Sequence, residues 1–221
     1  MLRLFTGYDP REAKGWHTFI QSLIDTSTNY RIMPPLSGKQ GDGSTKFTYA
    51  RFEILELCNW SGPALFLDAV DMLLRADISE LAALYDKDYA VQVVRHDYKT
   101  KHPRKFVGTA MEADNPDYPG KNMSSVILWN CGHPAHWKAR NRIRRAINEG
   151  DGKFLHRFGW LEDKHIGELP IEWNWLPQEH GENPGAKLIH YTLGIPGFKH
   201  YRDGPMSSHW HEAARTWHSE R

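Results

Sequence analysis

The run Ala64-Leu65-Phe66-Leu67-Asp68-Ala69-Val70-Asp71-Met72-Leu73-Leu74 constrains this chain more than any other. Its first half has the length and composition of a buried strand, yet it delivers two acids and then turns apolar again. A carboxylate taken out of water is costly, and two in one place need a strong compensating partner such as a metal ion. Two plainer uses stay open from these residues alone: capping of the following helix, or pairing with Arg75.

Strands and helices alternate around that run. Residues 2–8 read as a buried first strand. Asp9-Pro10 is a helix N-cap with proline in the first helical position, and Trp16, Phe19, Ile20, Leu23 and Ile24 then recur at helical spacing. A second strand, 30–36, is interrupted at its end by Pro34 and Pro35. Residues 37–44 are a flexible loop by composition, and a helix is expected from about Lys46 to Cys58. Asp77 with Glu80 signals the start of a helix over 78–85. Further strands are expected at 64–70, 89–96, 125–130 and 187–193. Residues 133–148 read as a basic helix whose Lys138, Arg140, Arg142, Arg144 and Arg145 make a solvated face, with binding of an anionic acceptor the lesser option. The tail is a Gly/Pro loop and a short helix rich in Trp and His. Residues 97–122 are polar, lysine-rich and without period, and a connection of that length is functional or mobile. There is no internal repeat. The pattern predicts an α/β sandwich with a largely parallel sheet. A length of 221 residues suits a single domain over 1–221, with 97–122 a mobile loop and 194–221 a C-terminal loop and helix.

Charge removes several function classes. Lys plus Arg number 28 and Asp plus Glu 27, a net charge of +1, so neither nucleic acid nor an acidic membrane is expected as the main partner. No run reaches the roughly 18 apolar residues of a membrane span, and the opening residues are too short and too soon interrupted for a signal peptide. Cys58 and Cys131 are the only cysteines, too few for a disulfide framework, and are read as reduced. A cytoplasmic protein is the default expectation; the oligomeric state is not legible.

Polar groups gather at the predicted strand ends, where open α/β sheets bind ligands. Gly7, Tyr8 and Asp9 close the first strand. Asp68 and Asp71 close the central one. His190 lies in the last strand, followed by Gly194 and Lys199. Two aspartates and a histidine are a hard oxygen-and-nitrogen set that suits Mn²⁺ or Mg²⁺ with positions left for phosphate oxygens. Lys199 adds a point charge for a phosphate, and the glycines permit close backbone approach. Neither a Walker-type loop nor a G-x-G-x-x-G is present. Taken singly, a histidine on a strand such as His190 is more often a hydrogen-bonded core or surface residue than a ligand. His209 and His211 lack companion ligands and are read as surface or packing residues.

The order of these motifs resembles glycosyltransferases of the GT-A fold, most closely the family-8-like type of glycogenin and the bacterial galactosyltransferases. The resemblance spans nearly the whole chain: FTGYDPRE (5–12) looks like the base-binding turn, TYARFEIL (48–55) like the helix whose arginine touches the donor, SSVILWNC (124–131) like the strand that faces the sugar, LPIEWNWL (169–176) like a Leu-Pro-x-x-x-Asn segment, and IHYTLGIPGFK (189–199) like the closing His-Gly-Lys loop. It implies a mixed, mostly parallel sheet sandwiched by helices and a hexosyltransferase that uses a nucleotide sugar, a UDP-sugar first of all, with retention of configuration. It implies metal ligands Asp68, Asp71 and His190, and a donor contact at Arg51. Nucleotide contacts fall at Gly7, Tyr8, Asp9, Gly194 and Lys199, and sugar contacts at Ser124, Ser125 and Asn174. The acceptor is a glycan or another molecule that the sequence does not name. Two departures stand out. The acids are one residue further apart than Asp-x-Asp, which on an ideal strand turns them to opposite faces, so a bulge or turn at Ala69-Val70 must re-aim one of them. The closing loop is also longer than the family's.

The segment 97–122, with His102, Arg104, Lys105 and Tyr118, is expected to close over donor and acceptor. The aromatic and acidic stretch 155–175 offers either sugar-stacking faces, with Asp163, Glu168 and Glu172 for hydroxyls, or, at Trp173 and Trp175, core packing. Two rival classes remain. A nucleotidyltransferase would carry a Gly-rich basic loop after the first strand, which is lacking here. A non-enzymatic carbohydrate- or nucleotide-binding protein would need neither the base turn nor the closing loop.

Overall fold

In the computed structural model, residues 2–38, 45 and 47–219 are described, the side chains of 217–219 excepted. Most of the 37–44 loop and the expected helix start at Lys46 lie outside the described residues.

The chain opens with β1 (Leu2–Thr6) and passes through a 3-10 turn at Pro10–Glu12 into α1 (Ala13–Thr26). Asp9 caps that turn by accepting from the Arg11 backbone N–H at 3.0 Å, with Pro10 in the first position as its sequence signals. There follow β2 (Tyr30–Ile32), α2 (Ala50–Leu57), β3 (Pro63–Leu67), β4 (Met72–Leu74), α3 (Ile78–Ala82) and β5 (Val91–Val93). Within the long 97–122 connection, β6 (Arg104–Lys105) and β7 (Ala113–Asp114) form a small hairpin. The second half runs β8 (Val126–Asn130), α4 (Pro134–Glu149), α5 (Gly152–His156), β9 (Ile166–Glu168), α6 (Pro177–His180), β10 (Leu188–His190) and α7 (Ser207–Ser219).

Six strands form the main sheet in the order β2-β1-β3-β8-β5-β9. β1 pairs in parallel with β2 and β3, β5 pairs in parallel with β9, and β8 alone runs against its two neighbours. Both faces of the sheet are covered. On β3, Ala64 and Phe66 enter one hydrophobic cluster while Leu65 and Leu67 enter the other. That is why the strand reads as an unbroken apolar run rather than an alternating one. A third cluster, with Leu73, Ile189, Tyr191 and Trp210, docks α7 beside a separate two-stranded sheet of β4 and β10.

Several strands are shorter than the residue pattern suggests. The expected strand over 64–70 stops at Leu67, because Ala69 takes a left-handed φ of 64° that a ladder does not accept. The expected 30–36 strand ends at Ile32, ahead of Pro34 and Pro35, and only Leu36 bridges back to Gly7. The basic face of α4 is solvated as expected, with Lys138, Arg142, Arg144 and Arg145 exposed. α1 presses directly on the turn after β3: a Cβ at Gly15 would stand 1.8 Å from the Val70 carbonyl oxygen, so only glycine fits there. Among the described residues, no helix is long and apolar enough to cross a membrane.

Candidate functional site

The turn after β3 aims the two acids. Asp68 N–H donates to Ser125 O at 3.0 Å, the last link to the sheet. Ala69 then reverses the chain, Val70 N–H donates to Asp68 O at 2.7 Å, and β4 begins at Met72. The required turn at Ala69-Val70 is therefore present, as a left-handed residue rather than a strand bulge. Strand pairing supplies the third group. β10 runs antiparallel to β4 with His190 opposite Met72, and Tyr191 N–H donates to Asp71 O at 2.8 Å. That register sets the His190 ring beside Asp71. Ligand atoms of Asp68, Asp71 and His190 all lie within 4.8 Å of one another.

The cluster is short of positive charge. Asp68 Oδ1 is 2.7 Å from Arg51 Nη1, an ion contact without hydrogen-bond alignment, and Asp68 Oδ1 and Asp71 Oδ1 are both buried with no hydrogen-bond partner. His190 Nδ1–H donates to Asn174 Oδ1 at 2.8 Å, and the Asn174 amide in turn donates to Asn122 O at 3.3 Å. The remaining ring nitrogen, Nε2, faces Asp71 Oδ2 at 3.2 Å. In the neutral ring these are two acceptors pointing at each other, which only a proton or a cation between them satisfies. Burial pulls the His190 imidazolium down, but Asp71 and Asp68 outweigh it and the net shift is upward. Burial pushes the Asp68 acid up against the opposing pull of Arg51. Behind the cluster, Glu12 is 1% exposed with neither carboxylate oxygen bonded. Burial first, then Asp71 and Asp9, push its acid well up. Two acids with open oxygens and a histidine whose second nitrogen is already held by an amide fit a divalent cation.

Arg51 ties this cluster to the sheet. It leaves α2 between the rings of Phe66 and Phe47, 4.9 and 5.5 Å from their centroids. Its guanidinium donates to Ser124 O at 2.7 Å and Thr48 O at 3.1 Å while reaching Asp68. Above lies a cavity of about 790 Å³ whose wall includes Arg51, Asp68, Asp71, Ser124, Ser125 and His190. Lys105 and Tyr118 of the 97–122 segment line it as well. Burial lowers the Lys105 ammonium, and Asp71, Glu12 and Asp68 act against that. His102 and Arg104 are engaged elsewhere, the first with Gln178 O at 3.0 Å and the second with Glu112 and Asp114 at 2.7 and 2.8 Å.

Other sequence-singled residues sit apart from the cavity's described walls. Gly7 packs against Phe47, whose ring would be 2.3 Å from a Cβ there. Tyr8 meets Trp16 edge-on at 5.6 Å. Asp9 is fully buried and holds Arg11 at 2.6 Å. Gly194, at φ 146°, backs against Tyr201, and Lys199 is exposed in the 3-10 turn Lys199–Tyr201. Asn174 is buried behind His190, where it orients that ring rather than facing the cavity. Trp173 packs in the core. His211 bonds to Arg202 O at 2.8 Å on the surface. Conversely, residue patterns did not single out Glu12, nor His156, which lines the cavity and shares a 2.6 Å hydrogen bond with Ser124 Oγ. Burial and then Arg51 push His156 down to about 3. No spacing or motif marks either residue; their role follows from what packs against them.

The mixed six-stranded sheet flanked by helices has the fold of GT-A glycosyltransferases. The apo form of the glycosyltransferase GlyE of Streptococcus pneumoniae TIGR4 superposes with a TM-score of 0.66 at 15% identity, over 99% of this chain and 63% of that one. The chain thus spans less than two thirds of GlyE. The galactosyltransferase LgtC, in complex with donor and acceptor sugar analogs, superposes with a TM-score of 0.63 at 13% identity, over 97% of this chain and 96% of its own. No protein-family model matches the sequence. Protein CDI of Arabidopsis thaliana is 36% identical over 225 residues, covering 94% of this chain and 84% of that protein, and the chain belongs to the same family.

Proposed function

We propose that the chain is a metal-dependent glycosyltransferase that moves a hexose from a nucleotide sugar, first of all a UDP-sugar, to a glycan or other acceptor with retention of anomeric configuration. The observation that carries this reading is the meeting of Asp68, Asp71 and His190, from distant parts of the sequence, within 4.8 Å at the floor of the cavity. Resemblance in motif order and in fold to glycosyltransferases supports it.

The reaction exchanges one bond for another. The C1–O bond to the diphosphate breaks with its electron pair on the diphosphate oxygen. A C1–O bond to an acceptor hydroxyl replaces it, and the hydroxyl proton leaves with the diphosphate. Asp68, Asp71 and His190 would hold Mn²⁺ or Mg²⁺, which when bound supplies positive charge to the leaving diphosphate. Asn174 keeps the Nδ1 proton of His190 engaged, so that Nε2 is the nitrogen presented. Arg51 holds Asp68 in place and fixes the start of β8, where Ser124 and Ser125 face the sugar. Lys105 brings a second cation to the diphosphate side, the position that Lys199 occupies in the sequence pattern.

Thermal-shift measurements with UDP, GDP and CDP, each with and without Mn²⁺, test this directly. Stabilisation by a nucleotide only in the presence of Mn²⁺ is the expected outcome. No stabilisation by any of the three with Mn²⁺ would remove the transferase reading.

A further inference from the structure

One stretch of the cavity's lining carries charge beyond the metal cluster and Lys105. α5 presents Lys153, His156 and, just past its end, Arg157 to the cavity. Lys153, in α5, and Arg157, the residue that ends it, both line the cavity. The turn that carries them is fastened at several points. Asp151 caps it by accepting from Phe154 N–H at 3.0 Å, Tyr49 Oη–H donates to Gly150 O at 2.9 Å, and His156 joins Ser124 at 2.6 Å. The two cations are thus presented from a fixed support beside the serines that begin β8. Tyr118 also lines the cavity, within electrostatic reach of both Arg51 and Arg157.

Each of the cavity's acids is in contact with a residue other than Lys153 or Arg157. Asp68 has Arg51 at 2.7 Å, Asp71 has His190 at 3.2 Å, and Glu112 and Asp114 share Arg104 at 2.7 and 2.8 Å. Among the described ion pairs, Lys153 and Arg157 have no carboxylate. Two positive charges therefore face the cavity without a paired carboxylate among the described residues.

We propose that Lys153 and Arg157 form an anion subsite for a carboxylate or phosphate carried by the sugar substrates themselves, distinct from the nucleotide diphosphate. This rests on the transferase reading and deepens it: one of the two sugar substrates is acidic. Arginine offers a planar fork that matches either oxyanion, and lysine adds a point charge. The source of the anion is either the donor sugar, as in a uronic acid, or the acceptor, as in a sugar phosphate.

Calorimetry in Mn²⁺ separates the two sources and tests the subsite. UDP, UDP-glucose and UDP-glucuronic acid are titrated into the wild type and the Lys153→Gln/Arg157→Gln variant, followed by glucose and glucose 6-phosphate in the presence of UDP. Both positions lie at the surface of the cavity, and circular dichroism confirms that the variant is folded. In one of the two pairs, the acidic member is expected to bind the wild type about tenfold tighter than its neutral counterpart. In the variant that preference falls to within about twofold while UDP affinity is unchanged. A wild type that prefers the acidic member in neither pair overturns the proposal. So does a preference that survives in the variant, or an equal loss for UDP, which would put both cations on the diphosphate. If UDP itself fails to bind with Mn²⁺, the transferase reading falls, and this inference with it.

Discussion

Two fully buried histidines, His190 and His136, show how little of a residue's role lies in its own identity. Both are 2% exposed or less. His136 sits on α4, where Trp160 Nε1–H donates to its Nδ1 at 3.1 Å and its Nε2–H donates to Ala90 O at 3.0 Å. Both nitrogens are satisfied in the neutral ring, and burial pushes it down to about 4. His190 has one nitrogen fixed by Asn174 and the other turned on a carboxylate. The same side chain is finished in one place and left wanting a cation in the other. A buried polar group that completes its bonds holds the core together, whereas one left facing an acceptor marks a site.

The contrast fails or sharpens on three variants. Asp71→Ala has the largest expected effect, because it removes one member of a buried charged set. Mn²⁺-dependent UDP affinity should fall about a thousandfold, about 4 kcal/mol, by calorimetry. Unchanged affinity would strip Asp71 of its ligand role.

His136 should act on stability alone. Its folded value lies near 4, below the ordinary 6.5, so between these values the unfolded chain binds more protons than the folded one. The stability it protects is intact above about 6.5, is lost as pH falls, and is gone below about 4, amounting to about 3 kcal/mol. Urea melts of the wild type and His136→Gln across pH 4–8 should show a flatter acid limb in the variant, with neutral-pH nucleotide binding retained. His96 and His156, both pushed down to about 3, keep a residual slope of the same sign. An acid limb that is equally steep in both proteins would refute the assignment.

The smallest of the three belongs to Asn174→Leu. It leaves every proposed ligand in place and removes the acceptor for His190 Nδ1–H, together with the Asn174 amide's bond to Asn122 O. Loss of such an outer partner costs metal affinity roughly 10–100-fold. A Mn²⁺ titration followed by electron paramagnetic resonance should give a loss in that range; affinity within about twofold of wild type would show that the ring needs no such anchor.

The sequence disclosed more of the fold than of the site. The apolar run of β3 and the spacing along α1 are local signals and give their elements, with β3 ending at Leu67. Asp9-Pro10 caps a 3-10 turn that leads into α1 rather than α1 itself. The cluster was legible as far as residue type and strand register allow. The acids follow a strand, and β10 returns to pair with β4, so that His190 arrives beside Asp71. Lys199 lies nine positions further on, beyond any pairing, and the loop from Gly194 carries it to the surface. Strand register transmits position faithfully, whereas a loop of altered length does not. Asn174 belongs to the Leu-Pro-x-x-x-Asn segment, but its partner is a ring 16 residues away. Glu12 and His156 were illegible because burial beside Asp71 or Ser124 is a property of packing, with no trace in spacing.

The central claim is that Asp68, Asp71 and His190 share one divalent cation. Anomalous diffraction at the manganese edge, from crystals grown with Mn²⁺ and UDP, tests it most directly. A single strong peak in bonding contact with both carboxylates and His190 Nε2 is the predicted result. A peak elsewhere, with the His190–Asp71 contact still closed, would contradict it.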